Sequence, residues 1–566
     1  MSRFAVVPLV VALFAANQSA LAQQPIGAGG QIQQIPPAPA LQRSTPDLPI
    51  PVNRGDMPAR PGDAGPKILV TSLHVTGQTH FSEAELVAAT DFKPGSELDL
   101  ADLRALAWKI TDFYNQSGYF LAQAYLPAQD IKNGIVTISV IEGRYGEIGL
   151  HNESRVSDGL VDSILDGLKS GDPVEIAPLE RRLLIISDIP GVEERATMSP
   201  GAEVGTSDLN IHLTPGPWVT GSLEADNWGN PYTGAYRLGA TVNVNNLLGY
   251  GDVLSLRTLD STTGGMFYGR VSYQAQVQDA TVGVAFTAFH YELGEQFSNL
   301  HASGSEEIAS VYGSYPLIRS RNSNLYALID VDYRIFQDKI GAISSVTDKT
   351  AEVLTVGLSG DSHDTLGGGG WNTYYIAGTF GNLDIQTAQA RQFDAASART
   401  NGGYTKIYGS ASRLQNVIGP LSLYGYVRGQ AAFQNLDISE KMELGGATGV
   451  RAYPEGESYG DEGFIATLEA RLLLPTWSIL PGQVQLIGFV DTGYVTQNYS
   501  PWYNGPNSPW FNGPNSASRS GVGVGVTWAE INNFSVSVGV AHRLGDPPTS
   551  APDQWGRIWF QVIKYF

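Results

Sequence analysis

Apolar and polar residues alternate with a period of two from Trp218 to Phe566, as in β-strands that bury one face. In the most regular segment one face carries Tyr236, Leu238, Ala240, Val242 and Val244, and the other carries Arg237, Gly239, Thr241, Asn243 and Asn245. Two later segments set Val522, Val524, Val526 and Trp528 against Gly521, Gly523 and Gly525, and Phe534, Val536, Val538 and Val540 against Ser535, Ser537 and Gly539. An apolar outer face with a polar or very small inner face is typical of a barrel in lipid around a wet lumen.

A soluble β-sandwich would show the same alternation, but two observations favour lipid. The segments run for about 9–12 residues, the length that crosses a bilayer at a tilt. Tryptophans stand near segment ends, where an interfacial girdle lies, at Trp218, Trp228, Trp371, Trp477 and Trp528. About sixteen segments can be counted, and an even number closes such a barrel. We therefore predict a membrane all-β fold, a sixteen-stranded antiparallel transmembrane β-barrel, over residues 216–566.

The last predicted strand ends on Tyr565 and Phe566. A terminal phenylalanine on the closing strand is typical of outer-membrane barrels, although Lys564 interrupts the apolar face. We take Phe566 as the C-terminal signal of the barrel.

Two small α+β modules precede the barrel and share one element order, β-α-α-β-β. In the first, residues 67–143, Asp99 is placed to cap a long helix with apolar positions at helical spacing, namely Leu103, Leu106, Ala107, Ile110 and Phe113. Asn133-Gly134 predicts a hairpin turn before the last strand. The same order recurs over residues 144–215. An exposed strand edge in such a module can take up an extended peptide, and a rigid spacer is the equally weighted alternative.

The first 66 residues predict a signal peptide and a linker. Residues 1–22 place Arg3 before an apolar stretch and end with Ala20-Leu21-Ala22 as a cleavage site. A membrane anchor is the alternative, which the short apolar stretch disfavours. Residues 23–66 are rich in Pro, Gln and Gly, which predicts a flexible linker. Export would bring the mature chain to the periplasm or the outer membrane of a Gram-negative cell.

Composition narrows the class of protein. Charged residues make up 16% of the 566 residues and 65 residues are glycine, whereas about 25% charged residues is usual in soluble proteins. The net charge of −20 argues against a nucleic-acid partner, because phosphate binding needs clustered Lys and Arg. The absence of cysteine excludes disulfides, thiolate metal sites and cysteine nucleophiles. No run of about twenty apolar residues occurs beyond the N-terminus, which excludes a helical membrane protein.

Enzyme motifs are missing from the sequence. The alternating glycines of Gly521 to Gly525 lie in a predicted strand and do not form a phosphate loop. The eight histidines are scattered, with none at metal-ligand spacing. A barrel lipase would need a Ser and a His that meet at the wall, and His290 and His542 remain candidates for that histidine. We predict no catalytic residue, no metal and no cofactor.

One long connection and one strand carry a family resemblance. The connection over residues 435–463 contains Gly449-Val450-Arg451-Ala452-Tyr453, and a later strand contains Phe489-Val490-Asp491-Thr492-Gly493. With the two upstream modules, these motifs resemble the two-partner secretion transporters, the TpsB (ShlB/FhaC/HecB-type) branch of the BamA-like outer-membrane superfamily. The resemblance covers residues 67–566. It implies two periplasmic POTRA domains, POTRA 1 over 67–143 and POTRA 2 over 144–215, and a barrel whose loop 435–463 folds into the lumen.

The resemblance also implies that the arginine and the aspartate of the two motifs pair inside the barrel. Strand parity independently sets one group of side chains inward: Phe489, Asp491 and Gly493. A half-buried carboxylate requires a cation, and the planar guanidinium of Arg451 suits a bidentate pair. Glu469, inward by the same parity, is a rival partner, and a solvated Arg451 is the third possibility.

Two features depart from the family pattern. Ala452 stands where the family usually has glycine, and alanine would be strained there if the position required a positive φ. The family also has a helix before the POTRA domains that plugs the pore. Residues 23–66 are rich in proline, which breaks helix interiors, so we do not expect a long plug helix here.

The resemblance implies a function and a set of partners. The chain would move an unfolded exoprotein of the TpsA type to the cell surface. POTRA 1 would bind it between a strand and a helix, matching residues 114–126, with Tyr119 and Phe120 as candidate contacts or, equally, as core. The other expected partners are outer-membrane lipids and the barrel-assembly machinery that inserts the barrel. The alternatives are a barrel-assembly factor of the same superfamily and a passive solute channel.

Overall fold

The computed structural model describes residues 27–39, 66–476, 480–501 and 514–566. The predicted signal peptide, most of the predicted linker and Trp477 lie outside these ranges. Two compact units are present: one contains both small modules, and the other contains the barrel together with residues 27–39. Within the described ranges, no helix has both the length and the apolar character that a membrane span requires.

The first described element is α1 (Ala28–Ile32), a five-residue helix inside the segment predicted to be a linker. Its residues from Ala28 to Gln31 are buried within the barrel unit. Two glycines give this run little intrinsic helix propensity, so tertiary packing holds the helix. Residues 27–39 therefore do not behave as a free linker in this structure.

The first module contains β1 (Ile68–Val70), β2 (Ser72–Thr76), α2 (Glu83–Ala89), β3 (Ser96–Leu98), α3 (Leu100–Gln116), β4 (Gln123–Tyr125) and β5 (Ile135–Ile141). Strand β5 lies between β2, which is parallel to it, and β4, which is antiparallel. Ser82 and Asp99 begin the two helices through capping boxes with Glu85 and Asp102. The long helix that Asp99 starts buries one apolar stripe against the sheet: Leu103, Ala107, Ile110 and Tyr114.

The second module contains β6 (Arg144–Asn152), α4 (Asp158–Leu165), α5 (Ile176–Ser187), β7 (Val192–Pro200) and β8 (Thr206–Pro215). Strand β8 lies between the parallel β6 and the antiparallel β7, so the predicted repeat of element order is present. The helices cover this sheet with buried Val161, Ile164, Leu179 and Leu183. Phe120 of the first module joins the same core, so the two modules share apolar packing.

The strands of the barrel unit are β9 (Val219–Asp226), β10 (Arg237–Asn245), β11 (Val253–Ser261), β12 (Met266–Val277), β13 (Ala280–Glu292), β14 (Ala302–Arg319), β15 (Ser323–Ile340), β16 (Ser345–Asp364), β17 (Gly370–Ile385), β18 (Gly402–Ile418), β19 (Leu421–Ala432), β20 (Met442–Glu443), β21 (Tyr459–Gly460), β22 (Glu462–Leu473), β23 (Gln483–Thr496), β24 (Ser516–Glu530), β25 (Phe534–Arg543) and β26 (Arg557–Tyr565). Helix α6 (Ala388–Ala396) lies between β17 and β18. Strands β20 and β21 pair with each other, and the remaining sixteen strands of the described ranges close into an antiparallel barrel. Strand β9 pairs with both β10 and β26, which closes the ring.

The predicted inner and outer faces of the strands are confirmed. On β10, Leu238 is 58% exposed whereas its neighbour Arg237 is 2% exposed. On β24, Val524 is 65% exposed and lies between the inner-face glycines Gly523 and Gly525. The outer face is therefore apolar, as in barrels that lie in a lipid bilayer, and the inner face lines the lumen.

Strands β14 to β18 are much longer than the predicted 9–12 residues. Strands β14 to β18 have 18, 18, 20, 16 and 17 residues. On β14 the exposed apolar residues Val311, Tyr315 and Leu317 occupy one part of the outer face, and the exposed Glu307 follows beyond them. The apolar pattern identifies only the part of a strand that meets lipid, which is why the sequence underestimates these lengths.

Candidate functional site

The connection between β19 and β22, residues 433–461, folds into the barrel, and we call it the lumen loop. Its residues Leu444, Val450 and Tyr453 are fully buried and pack with the inner-wall residues Ile465 and Phe489. The pairing of β20 with β21 closes the base of the loop. The loop is therefore a packed part of the barrel interior.

Arg451 at the tip of the lumen loop binds both carboxylates that the sequence offered as partners. Its Nε donates to Asp491 Oδ2 at 2.8 Å, and one terminal nitrogen donates to Asp491 Oδ1 at 2.7 Å. The other terminal nitrogen donates to Glu469 Oε1 at 2.8 Å. Asp491 lies on β23 and Glu469 on β22, so one guanidinium bridges two adjacent strands. This bidentate and bridging geometry uses the planar fork that a lysine lacks.

The surroundings of Asp491 satisfy a carboxylate that has no exposed surface. It also accepts hydrogen bonds from the Arg451 amide at 3.2 Å and from the Thr467 hydroxyl at 2.9 Å. The Arg451 guanidinium lies 3.5 Å from the centre of the Phe489 ring, a cation–π contact. Trp559 on β26 donates its indole N–H to the Arg451 carbonyl at 2.6 Å. Arg451 therefore contacts the wall through both its side chain and its main chain.

The other predicted residues of the two motifs also lie where the lumen loop contacts the barrel wall. Ala452 has a negative φ, so the strain that alanine would suffer at positive φ does not arise. Gly449 is required by space, because an added Cβ would overlap the carbonyl of Gly445. Gly493 faces the loop as well, and an added Cβ there would lie 2.5 Å from a methyl group of Leu444. The Tyr453 hydroxyl donates to the Asp546 carbonyl at 2.8 Å.

A second set of contacts fixes the far side of the lumen loop, and our sequence reasoning missed it. The fully buried Glu457 accepts from Arg519 of β24 at 2.6 Å. It also accepts from the amide of Ser550 at 2.9 Å and from its hydroxyl at 2.6 Å. Asp461, also without exposed surface, pairs with Lys441 at 2.8 Å. Several carboxylates in a short glycine-rich connection were the available signal that this loop is internal.

Residues 27–39 share the lumen with this loop. The Ala28 amide donates to Asp338 Oδ1 on β15 at 2.8 Å. The Gln34 side chain donates to the Tyr459 hydroxyl at 2.8 Å, and that hydroxyl donates to Glu443 at 2.9 Å. Gly29 lies against Ser439 so closely that an added Cβ would overlap it. The N-terminal segment is thus held by the barrel wall and by the lumen loop together.

In the first module, the two candidate substrate contacts behave differently. Phe120 is 7% exposed and packs in the core shared with the second module. Phe120 is therefore a core residue, one of the two alternatives that the sequence left open, because the adjoining module covers it. Tyr119 is partly buried, stacks on His80 at 4.8 Å and donates its hydroxyl to Glu175 at 3.0 Å. Burial and the hydrogen bond to Glu175 raise the pKa of Tyr119.

A buried carboxylate organises the same end of the first module. Glu142 is 5% exposed and accepts from the amide of His80 at 3.0 Å and from the hydroxyl of Tyr114 at 2.9 Å. It also accepts from the amide and the hydroxyl of Thr79. Burial alone would raise the pKa of Glu142, but these hydrogen bonds outweigh it and hold the pKa below its ordinary value. The carboxylate therefore fixes the turn at residues 79–80 against α3.

The two modules offer strand edges of different quality. In the first, β4 has three residues, and the Thr111 hydroxyl of α3 already accepts from its Ala124 amide at 2.8 Å. In the second, β7 has nine residues and pairs only with β8 among the described strands. The edge of β7 is thus the longer template for an added strand.

The remaining predicted residues lie away from the lumen site. Phe566 exchanges main-chain hydrogen bonds with Gly221 of β9, at 2.9 and 3.1 Å, and its side chain is half exposed. The His542 ring contacts the Trp555 carbonyl, and His290 stands opposite Phe267 and Ser305 on neighbouring strands. Within the described ranges, no group of three or more His, Cys, Asp or Glu side chains could hold a metal ion.

Comparisons with known proteins agree with this architecture. The family described as "Haemolysin secretion/activation protein ShlB/FhaC/HecB" matches residues 205–504, and "POTRA domain, ShlB-type" matches residues 68–143. The heme/hemopexin transporter protein HuxB of Haemophilus influenzae (strain 86-028NP) is 30% identical over 478 residues, which cover 83% of this chain and 82% of HuxB. The outer membrane transporter CdiB of Escherichia coli O6:K15:H31 is 23% identical, covering 77% of this chain and 74% of CdiB. A solved structure of CdiB from Escherichia coli has a TM-score of 0.70 at 19% identity and covers 98% of each chain.

The sixteen-stranded barrel, its inward loop and the two preceding modules define an outer-membrane transporter with periplasmic POTRA domains. Because the family match spans more than half of the chain, the protein can be assigned to a family within this class of transporters. The chain belongs to the haemolysin secretion/activation family ShlB/FhaC/HecB, whose members are two-partner secretion transporters that translocate an exoprotein across the outer membrane.

Proposed function

We propose that this chain secretes one partner exoprotein in an extended state, that POTRA 1 captures it and that the lumen loop braces the barrel during its passage. The observation that carries the proposal is the bridge of Arg451 to Asp491 and Glu469. Removing Arg451 would leave the buried carboxylate of Asp491 without its cation, which costs several kcal/mol, roughly 3–5. The loop therefore has one strongly preferred position, and the lumen keeps a defined shape while its other contents change.

Capture by POTRA 1 is supported by the groove between α3 and β4. Tyr125 on β4 is 44% exposed, and Gln123 on the same strand is also exposed. Because Thr111 occupies the Ala124 amide, we infer that an exoprotein segment docks there through side chains and that strand addition at β4 is disfavoured. Tyr119 remains a proposed contact at the end of this groove, whereas Phe120 serves the packing between the modules.

POTRA 2 would extend the same capture. The nine-residue edge of β7 presents unpaired main-chain groups that an extended segment could pair with. We infer that the exoprotein segment is held by side chains at the first module and by its main chain at the second. Main-chain pairing tolerates many sequences, so the specificity for one partner would reside in the groove of POTRA 1.

The remaining partners follow from the barrel itself. The exposed apolar outer face contacts outer-membrane lipids, and Phe566 at the end of the closing pair is the proposed signal for the barrel-assembly machinery. No nucleotide or metal takes part in the proposed mechanism. Folding of the exoprotein outside the cell would draw the remainder of it forward.

The test is to co-express this chain with candidate exoproteins, starting with any encoded beside its gene, and to assay the medium and the cell surface. We expect one exoprotein outside the cell only when this chain is present. Retention of every candidate in the periplasm, with the barrel folded, would contradict secretion. Depletion of the chain would then test the alternative function in barrel assembly. Loss of a barrel-assembly factor lowers the amounts of other outer-membrane barrels, whereas loss of a dedicated exoprotein transporter leaves them unchanged.

A further inference from the structure

The inner wall of the first three barrel strands carries a continuous row of buried polar side chains, which we call the polar stripe. It consists of Ser222, Glu224 and Asp226 on β9, Arg237 and Thr241 on β10, and Arg257 on β11, and each of them is at most 6% exposed. The strand register aligns them, because Asp226 stands opposite Arg237, and Thr241 stands between Ser222 and Arg257. The stripe therefore runs along the wall, with carboxylates on its β9 side and guanidiniums beside them.

Each guanidinium of the stripe is braced by a carboxylate. Arg237 donates from Nε to Asp226 at 2.8 Å, and Arg257 donates to Glu224 at 3.0 Å. Glu224 reaches across β10 because Gly239 leaves room: a Cβ there would lie 2.6 Å from Glu224 Cγ. The two arginines are thereby fixed with their remaining N–H groups directed into the lumen.

Those N–H groups bind the main chain of the N-terminal segment. Arg237 donates to the Gln34 carbonyl at 3.1 Å, and Arg257 donates to the Pro36 carbonyl at 2.7 Å. The two carbonyls are two residues apart, at the end of the turn that follows α1, in which the Gln34 and Ile35 amides donate to the carbonyls of Gln31 and Ile32. Neither bond involves a side chain of the segment, so these two contacts with the stripe do not depend on the sequence of the segment.

The stripe has more hydrogen-bonding capacity than the N-terminal segment uses. Four buried atoms lack a hydrogen-bond partner in the described part of the chain: Ser222 Oγ, Thr241 Oγ1, Glu224 Oε2 and Arg257 Nε. A buried group left unsatisfied costs about 1–3 kcal/mol, so native proteins rarely retain several together. The donors and acceptors among these atoms match the N–H and C=O groups of a polypeptide.

We propose that the polar stripe is a binding track for the main chain of an extended polypeptide, and that residues 34–36 occupy it when no exoprotein is in transit. The proposal rests on the secretion function proposed above, since it takes the exoprotein as the second occupant. An entering chain replaces the carbonyls of Gln34 and Pro36 and also engages the unused atoms of Ser222 and Thr241. The track accepts different side chains because it contacts only main-chain atoms.

The first experiment measures displacement of the N-terminal segment in the purified full-length protein. The chain has no cysteine, so Ala38→Cys introduces a single thiol at an exposed position of the segment. Two synthetic peptides serve as probes: one has the sequence of residues 34–39 with alanine in place of Gln34, which leaves out the contacts of Ala28, Gly29 and the Gln34 side chain outside the stripe, and the other has the same composition in permuted order. We expect both to accelerate maleimide labelling at similar concentrations, and Arg257→Gln to accelerate it without peptide by roughly tenfold.

Arg270→Gln is the matched control. Arg270 of β12 stands opposite Arg257 of β11, but its described hydrogen bond is to Thr287 and not to the N-terminal segment. Arg257→Lys retains the positive charge beside Glu224 and serves as a second variant in case Arg257→Gln fails to fold. Heat-modifiable migration in gels shows whether each barrel is folded. Displacement by the peptide of unpermuted order alone would overturn recognition of the main chain. Equal labelling rates in Arg257→Gln and the unmodified protein would overturn the role of the stripe.

The second experiment identifies the other occupant in cells. A photo-crosslinking amino acid replaces Thr241 on the inner wall, and in a control variant it replaces Leu238 on the outer face. The cells export an exoprotein to which a folded domain is fused, so that the exoprotein stalls inside the barrel. We expect crosslinks to the exoprotein from position 241 and none from position 238. If the unmodified chain exports no exoprotein, the secretion function fails. If it exports one without crosslinks at position 241, the polar stripe proposal alone is overturned.

Discussion

Ala452 of the lumen loop lies directly over Gly521 of β24, and a Cβ atom added to Gly521 would overlap that of Ala452. Gly523, two residues along the same strand, leaves space in the same way for the ring of Phe489. The alternating glycines therefore form a seat for the loop and for the aromatic ring beneath Arg451. Because Ala452 carries a methyl group, the missing Cβ at Gly521 is what leaves room for the loop to approach the wall this closely.

The first prediction concerns this contact. Gly521→Ala should displace the loop tip and destabilise its docking by about 1–3 kcal/mol, the usual cost of overpacking. Ala452→Gly should restore docking when combined with Gly521→Ala, because the two residues touch and their effects are not additive. The measurement is the rate of limited proteolysis of the lumen loop in the folded barrel, with Gly539→Ala, whose added Cβ would meet only ordinary contacts, as the control. Failure of the double variant to recover would argue against the seat.

The second prediction concerns the anchor. Arg451→Ala should reduce secretion strongly while the barrel remains inserted, because Asp491 loses its bidentate partner and remains buried. Arg451→Lys should recover only part of the activity, since an ammonium cannot bind Asp491 and Glu469 with the same geometry. Secretion of the exoprotein and heat-modifiable migration of the barrel are measured together. Full secretion by the Arg451→Ala variant would refute the bracing role.

The third prediction concerns Glu457. Glu457→Gln should loosen residues 549–550 and the adjoining lumen loop, because the carboxylate pairs with Arg519 and accepts from Ser550. Amide hydrogen exchange at positions 549 and 550 should accelerate roughly tenfold or more, the effect of losing a charged hydrogen bond. Glu462→Gln, in a half-buried residue at the start of β22, is the control. Unchanged exchange in Glu457→Gln would contradict the prediction, because it would show that a neutral side chain at position 457 orders residues 549–550 as well as the carboxylate does.

The fourth prediction is a pH dependence of the first module. Hydrogen bonds from Thr79, His80 and Tyr114 keep the pKa of Glu142 below the usual 4.5 despite burial. Since the folded state then binds fewer protons than the unfolded state, this stabilisation is present above about pH 4.5 and is lost as pH falls through the folded pKa. Exchange at the amides of residues 79 and 80, corrected for its intrinsic pH dependence, should rise below pH 4.5.

Two variants check this assignment. Glu142→Gln should be less stable at neutral pH and should lose the acid-dependent rise, because it has no proton to gain. Tyr114→Phe removes one of the donors and should shift the rise toward higher pH. An unchanged acid response in Glu142→Gln would assign the effect to another group.

The barrel could be predicted because membrane strands repeat one simple rule. The alternation from Tyr236 to Asn245 reproduces the two faces of β10, and the count of sixteen strands is correct. The same parity rule placed Asp491 on the inner face, next to Arg451. The extra length of β14 to β18 could not be predicted from the sequence. Outside the apolar band these strands have polar residues on the outer face as well, such as Glu307 and Lys339, so apolar and polar positions no longer alternate.

The features that the sequence concealed depend on tertiary contacts. The helix Ala28–Ile32 contains two glycines and forms only against the barrel interior. The sequence left open whether Phe120 is a contact or a core residue, and only its packing with the second module makes it core. Two partners of Glu457, Arg519 and Ser550, lie 62 and 93 residues away in the chain, on a strand and a loop that the barrel brings together. Local patterns cannot encode such pairings.

Residues 27–39 are a ligand that is covalently attached to its own binding site. A tethered ligand competes at an effective concentration set by the length and stiffness of its connection. A free polypeptide would displace it only at a concentration comparable to that effective concentration, whereas an exoprotein held by the POTRA domains, as proposed above, would be tethered in turn. The lumen would thus reject the many unfolded chains of the periplasm and admit the one already held, so that selection rests on attachment and not on the affinity of the pore.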